Sequence, residues 1–333
     1  MTRRDFAFKG LLIAATAAGL TAQLIRVTSN VTYFPGPFVD WATYVNGVGR
    51  LLTGDGIYAS AQLAGPYRLT DVLLVGYAYP PASVPLFVPF QGYPLGIAAW
   101  ITLNLGLLFT GFWRMVSRTW PHRRVTAMCL CLIGLTAFVP FLGGFIALNF
   151  NLGLAGLVAW ISTGVDWRFA GLAGGLSGVI KVFPAVLALA VPKEKTKSVG
   201  LAVGIAAAIA LITLPVVGVA SWSEFVRALT GATPDCSTSN YSIACVVGPT
   251  IGMAAGSIIG IVVGGIAALA MCVVRRPYWL AVLSAVGIMA PANNLHLHYW
   301  TIAYVLLIAT LAEVTLLQRN RVDTSTAASP VQN

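Results

Sequence analysis

Charge is the scarcest ingredient of this sequence: only 9% of its 333 residues are Asp, Glu, Lys or Arg, against 58% that are hydrophobic. A soluble domain of that composition could not cover its own surface with polar groups, so lipid is the solvent for most of the chain. The mean hydropathy of +0.83 agrees. The alternating apolar and polar runs of a barrel strand are missing as well, which leaves helices as the way to satisfy backbone amides in hydrocarbon. Apolar stretches long enough to cross about 30 Å of bilayer, roughly 20 residues each, recur from Phe8 to Leu317. The fold class is therefore all-α, a polytopic integral membrane protein of about ten to twelve transmembrane helices.

Other absences narrow the chemistry. There is no Walker A sequence, no dinucleotide-binding GxGxxG between strand and helix, no GxSxG elbow and no HExxH. Nucleotide-driven transport and zinc proteolysis lose their basis. Histidine is scarce: His122 sits in a basic loop, and His296 and His298, two residues apart with no Asp or Glu beside them, are poorly placed for one metal ion. No metal and no cofactor is expected.

The charges that remain are strongly patterned. Basic residues cluster at Arg3, Arg4 and Lys9; at Arg114, Arg118, Arg123 and Arg124; at Arg168; at Lys193, Lys195 and Lys197; at Arg275 and Arg276; and at Arg319 and Arg321. By the positive-inside rule these are cytoplasmic loops, and both termini are cytoplasmic. The apolar run to Leu24 behind Arg3 and Arg4 is too long for a signal peptide and lacks a small-x-small cleavage site, so it reads as a retained first helix. The chain then divides into one transmembrane domain over residues 1–318, with external loops at 30–78 and 220–247, and a disordered cytoplasmic tail over 319–333. Spans are expected over, among others, 125–142 and 149–163, and a V of two short helices around Lys181. The stretch from Tyr79 to Gln91 is too short to cross and is expected to be re-entrant. Cys236 and Cys245 flank the polar loop DCSTSNYSIAC on the side the charges place outside, where a disulfide is expected.

With the helices assigned, the polar residues left over gather at one level. Asp40 follows the first helix, Tyr79 opens the Tyr-Pro-Pro run, and Asn149 and Asn151 stand in ALNFNLG. Lys181 is at the apex of LSGVIKVFPAVL, Asn240 and Ser242 are in the cysteine loop, and Asn293, Asn294, His296 and His298 lie in APANNLHLHYW. One cavity at the external face would account for all of them. Each also has a plainer reading. Asp40 can simply cap the helix that begins near Trp41, and Lys181 can snorkel to the interface. The functional readings are a base for Asp40 and a phosphate contact for Lys181, because a lone ammonium in apolar surroundings needs an anion.

The order of these segments resembles glycosyltransferase family 87, the membrane enzymes that use polyprenyl-phosphate sugars and include mannosyl- and arabinofuranosyltransferases. The resemblance rests on an Asp beyond the first helix with LLTGDGIY behind it, then a Tyr-Pro-Pro opening, an Asn-bearing segment before LGLAGLVAW, IKVFPAVLALAV, NYSIACVV and a His-bearing loop before the last helix. It implies a type C glycosyltransferase whose donor is a lipid phosphate and whose acceptor is a lipid-linked or envelope glycan. In that reading Asp40 is the catalytic base. Lys181, His296, His298, Tyr79, Asn149, Asn151, Asn240 and Arg68 are donor-phosphate or substrate contacts. The chain departs from the family pattern where Leu-Asn-Phe-Asn replaces the usual Gly-Gln pair, and in the last external loop. A transporter or flippase of a lipid-linked sugar is the alternative, although no convincing inverted repeat is present.

Overall fold

The computed structural model describes residues 10–19, 21–22, 25, 39–68, 76–92, 94–236, 240–292 and 299–327. Helices α1 (Gly10–Gly19), α2 (Val39–Thr53) and α3 (Ser60–Leu63) are followed by a 3-10 helix over Pro81–Phe90. Next come α4 (Leu95–Thr119), α5 (Arg124–Thr136), α6 (Val139–Ala147), α7 (Asn151–Ser162) and α8 (Trp167–Ile180), then a second 3-10 helix over Phe183–Leu189. The chain continues through α9 (Lys195–Val217), α10 (Ala220–Gly231), α11 (Ile243–Ile251), α12 (Met253–Val273), α13 (Pro277–Met289) and α14 (Trp300–Ala327). The all-α polytopic expectation holds. Among the described residues four helices, α4, α9, α12 and α14, are long and apolar enough to cross a membrane, or five if the bent pair α5 and α6 is one span. Shorter apolar helices, α1, α7, α13 and the first 3-10 helix, accompany them.

The shorter helices are placed by packing rather than by length. α7 is buried along almost its whole course, crossing α4 so closely that a Cβ on Gly156 would lie 2.2 Å from the Leu107 carbonyl oxygen. Small residues let the two backbones meet where no hydrophobic force drives helices together in lipid. α9 and α12 do the opposite. They turn Leu211, Ile212, Ile266, Leu269 and Val273 outward, all more than half exposed, as lipid-facing helices must.

Three breaks shape the site. The span expected over 125–142 bends by 79° between α5 and α6, with Pro140 in the first turn of α6, where a missing N–H does no harm. α6 then stops at Leu148, whose left-handed φ of 53° turns the chain, and Trp100 Nε1 donates to the Leu148 carbonyl at 2.7 Å. Second, Pro85 and Pro89 keep residues 81–90 in a 3-10 form. Ten residues at about 2 Å rise are too few to cross, as expected of a re-entrant piece. Third, α8 and the 3-10 helix Phe183–Leu189 fold back on each other with Lys181 at the turn, the anticipated V.

Two regions read as loops carry more order than expected. Strand β1 (Tyr67–Arg68) pairs in parallel with β2 (Ala232–Thr233), tying the first polar loop to the second. The second loop also contains α10, whose exposed Val226 and Leu229, with Val219 just ahead of the helix, adjoin polar Ser223 and Arg227, the pattern of an interfacial helix. At the other end α14 continues to Ala327, so the tail expected to be disordered from residue 319 begins as helix. The sequence LLQRNRVDTSTA contains no Pro or Gly to stop it.

Candidate active site

The α6–α7 junction presents two asparagines on one short stretch, and their amides organise the site. Asn149 Nδ2 donates to Asp40 Oδ2 at 2.7 Å, while Asn149 Oδ1 accepts from Lys181 Nζ at 2.9 Å and from the Asn151 backbone N–H at 2.9 Å. Lys181 Nζ also donates to Asn151 Oδ1 at 3.2 Å. Four sequence-selected residues from three distant segments therefore form one hydrogen-bonded chain. Asp40 enters it from the first turn of α2, where a carboxylate also suits the helix dipole.

Aromatic rings close the chain in. The Lys181 ammonium lies 5.7 Å from the Tyr79 ring centroid and 5.2 Å from that of Tyr299, favourable cation–π positions for a charge only 9% exposed. Tyr44, one helical turn beyond Asp40, stacks on Phe87 at 4.6 Å, and its hydroxyl accepts from the Phe150 N–H at 3.3 Å. Tyr79 is fixed from behind. Burial raises the Tyr58 pKa far above its ordinary value, and the neutral hydroxyl donates to the Tyr79 carbonyl at 2.7 Å. Gln62 completes the brace: Oε1 accepts from the N–H groups of Ala59 and Tyr77, and Nε2 donates to the Tyr77 carbonyl.

Two features show that the site is built for something further. Lys197 pairs with Glu194 on the surface, whereas Lys181 is held by the amide oxygens of Asn149 and Asn151. Asn151 Nδ2 is buried with no hydrogen-bond partner, in a side chain that is 0% exposed. A buried cation and an unsatisfied donor on the same two residues suit an anion. Beside them an apolar groove of about 470 Å³ runs between α8, α9 and α10. Pro80 and Val182, the neighbours of Tyr79 and Lys181, line it together with Val203, Ala206, Trp222 and Phe225.

The sequence profile of glycosyltransferase family 87 matches residues 77–292, a stretch that holds Tyr79, Asn149, Asn151 and Lys181. The chain belongs to glycosyltransferase family 87. It is accordingly a membrane glycosyltransferase. No curated protein and no solved structure matches it.

Within this family 87 enzyme the remaining sequence-selected residues have other surroundings. Asn240 Nδ2 donates to the Asp235 carbonyl at 2.8 Å and Asn240 Oδ1 accepts from the Ser242 N–H at 3.0 Å, so its amide folds the loop closed by the Cys236–Cys245 disulfide. That loop still reaches toward the site: Tyr241 packs edge-on against Trp300 at 6.2 Å, next to Tyr299. Arg68 is exposed on β1, opposite Thr233. Asn293, Asn294, His296 and His298 lie outside the described residues. Sequence reasoning missed Tyr44, Tyr299 and Gln62. Tyr44 carried a usable signal, four residues after Asp40 and hence on the same helix face.

Proposed function

We propose that the chain is an inverting glycosyltransferase that moves one sugar, mannose or alternatively arabinofuranose, from a polyprenyl phosphate to a lipid-linked or cell-envelope glycan. Its site opens at the extracytoplasmic face of the cell membrane and its termini are cytoplasmic, because the basic clusters mark the opposite loops. The observation that carries this reading is the joining of a carboxylate and a buried, phosphate-seeking ammonium through one amide.

In this reaction an acceptor hydroxyl approaches the sugar on the side opposite the phosphate. Its oxygen forms a bond to the anomeric carbon as the carbon–oxygen bond to phosphate breaks, and Asp40 takes the hydroxyl proton. The departing phosphate keeps the bonding electron pair, and Lys181, Asn151 Nδ2 and the sequence-selected His296 or His298 stabilise its charge. One displacement assisted by one base inverts the anomeric configuration. The groove beside Tyr79 and Lys181 supports a lipid-borne donor, since its apolar lining suits an isoprenoid chain whose phosphate sits at the lysine. Tyr79 packs beside that phosphate, and Arg68 and the Asn240 loop belong to the substrate side.

Purified protein incubated with radiolabelled polyprenyl-phosphate mannose and candidate acceptors should form a new glycosidic bond. Asp40→Asn should lower that rate by about 1000-fold, within the range for loss of a general base, while the protein stays folded in detergent. A transporter would bind the donor and form no bond. Full activity in Asp40→Asn would remove Asp40 from the chemistry.

A further inference from the structure

The sequence reading makes Asn149 a substrate contact, yet most of its amide is committed inside the protein: the carbonyl oxygen is filled and one of its two N–H groups is spent on Asp40. Its Oδ1 already accepts from two groups that can only donate, the Lys181 ammonium and the Asn151 N–H. Its Nδ2 must therefore face Asp40, and a flipped amide would set N–H against two donors and oxygen against a carboxylate. The residue is 3% exposed, and its backbone is held by the Gly144 carbonyl at 3.2 Å and by the Trp100 clamp on Leu148. An asparagine held this firmly between opposite charges is placed to act on both of them.

We propose that Asn149 is a positioning residue that keeps the base and the cation of this site apart, giving each a hydrogen bond so that neither neutralises the other. The inference rests on the transferase reading above. In a low-dielectric site an ammonium and a carboxylate attract strongly, and a direct pair would leave the base too weak to take a proton and the ammonium unavailable to phosphate. Asn149 stands where that pair would form. When donor phosphate draws Lys181 away, the Asn151 N–H still holds Oδ1, so the amide keeps its aim at Asp40. The other titratable groups around Asp40 among the described residues are Tyr44 on α2, Tyr79 ahead of the 3-10 helix and, through Lys181, Tyr299 ahead of α14. Lys181 is the cation among these neighbours, so the balance lies with it.

Asn149→Asp and Asn149→Leu, both near-isosteric, test this. In Asn149→Asp the new carboxylate keeps both accepted hydrogen bonds but confronts Asp40 with like charge. The acidic limb of the kcat/KM profile should then move up by about one pH unit or more, and the donor KM should rise because the introduced carboxylate occupies Lys181. Asn149→Leu takes the bridging amide away from both charges, and its activity should not recover at any pH. Equal losses in both variants with an unmoved acidic limb would make Asn149 merely structural and overturn the proposal. A second readout needs no turnover: the infrared carboxyl titration of Asp40, isolated by subtracting the matching Asp40→Asn spectra, should also move up in Asn149→Asp. If the wild type transfers no sugar, the transferase reading fails while this titration still decides the role of Asn149.

Discussion

The two ends of α7 each hold a cation, and the cations are held in opposite ways. At the C-terminal end Arg114 donates to Thr163 Oγ1 at 2.7 Å and to the Gly164 carbonyl at 3.0 Å, and lies 4.7 Å over the Trp160 ring. A helix C-terminus carries partial negative charge, so this arginine sits where the backbone wants it. Lys181 occupies the other end, against the Asn151 side chain that opens α7, where the helix dipole is positive. The helix does nothing to stabilise that charge. A cation that suits its surroundings can be structural; one placed against the local field, buried and held by amide oxygens, is where the proposed donor phosphate would complete the arrangement.

The sharpest way to break this comparison is to remove each cation in turn. Lys181→Met should lower kcat/KM by about 100- to 1000-fold, the range for removing one preorganised group from a developing negative charge. It should leave the detergent unfolding temperature unchanged or slightly higher, because an ammonium no longer has to be buried in the resting protein. A large fall in stability with modest loss of activity would make Lys181 a structural cation like Arg114.

A smaller effect tests whether the anion at Lys181 arrives on a lipid. Val203 lines the groove and is 61% exposed, so Val203→Trp should fill space without disturbing the core. Excluding about two methylene groups, each worth ~0.8 kcal/mol, corresponds to roughly a tenfold rise in KM for a long polyprenyl donor. A donor cut to one or two isoprene units should be unaffected. Equal effects on both donors would detach the groove from the donor.

Much of this contrast was legible in the sequence, and the reasons differ by residue. Asp40 and Lys181 stood out because ionisable groups are expensive in apolar surroundings and so carry information wherever they occur. The V at Lys181 followed from two apolar arms too short to cross a bilayer. The Asn149 bridge was not legible. Asparagine is common at turns, and only the break at Leu148, with its left-handed φ of 53° and the Trp100 hydrogen bond, aims that amide between residues 109 positions upstream and 32 downstream. The β1–β2 pairing of two residues each is too short to leave a pattern, and the α5–α6 bend hides inside one continuous apolar run. Tyr299 escaped notice for another reason: aromatic residues near a membrane surface are ordinary, and only its ring distance to Lys181 sets it apart.

The smallest expected effect lies at the opposite end of α7. Arg114→Met removes two hydrogen bonds to the α7 terminus, a favourable dipole interaction and a ring contact, all partly exposed. Interactions of that kind contribute about 1 kcal/mol together once solvent screening is allowed for. Thermal unfolding in detergent should fall by a few degrees, and kcat/KM measured well below that transition should stay within about twofold. If Arg114→Met instead lowered turnover as Lys181→Met does, α7 would be transmitting a change along its roughly 18 Å to the amides at its start. The two cations would then belong to one device, and the site could no longer be assigned to a single end of the helix.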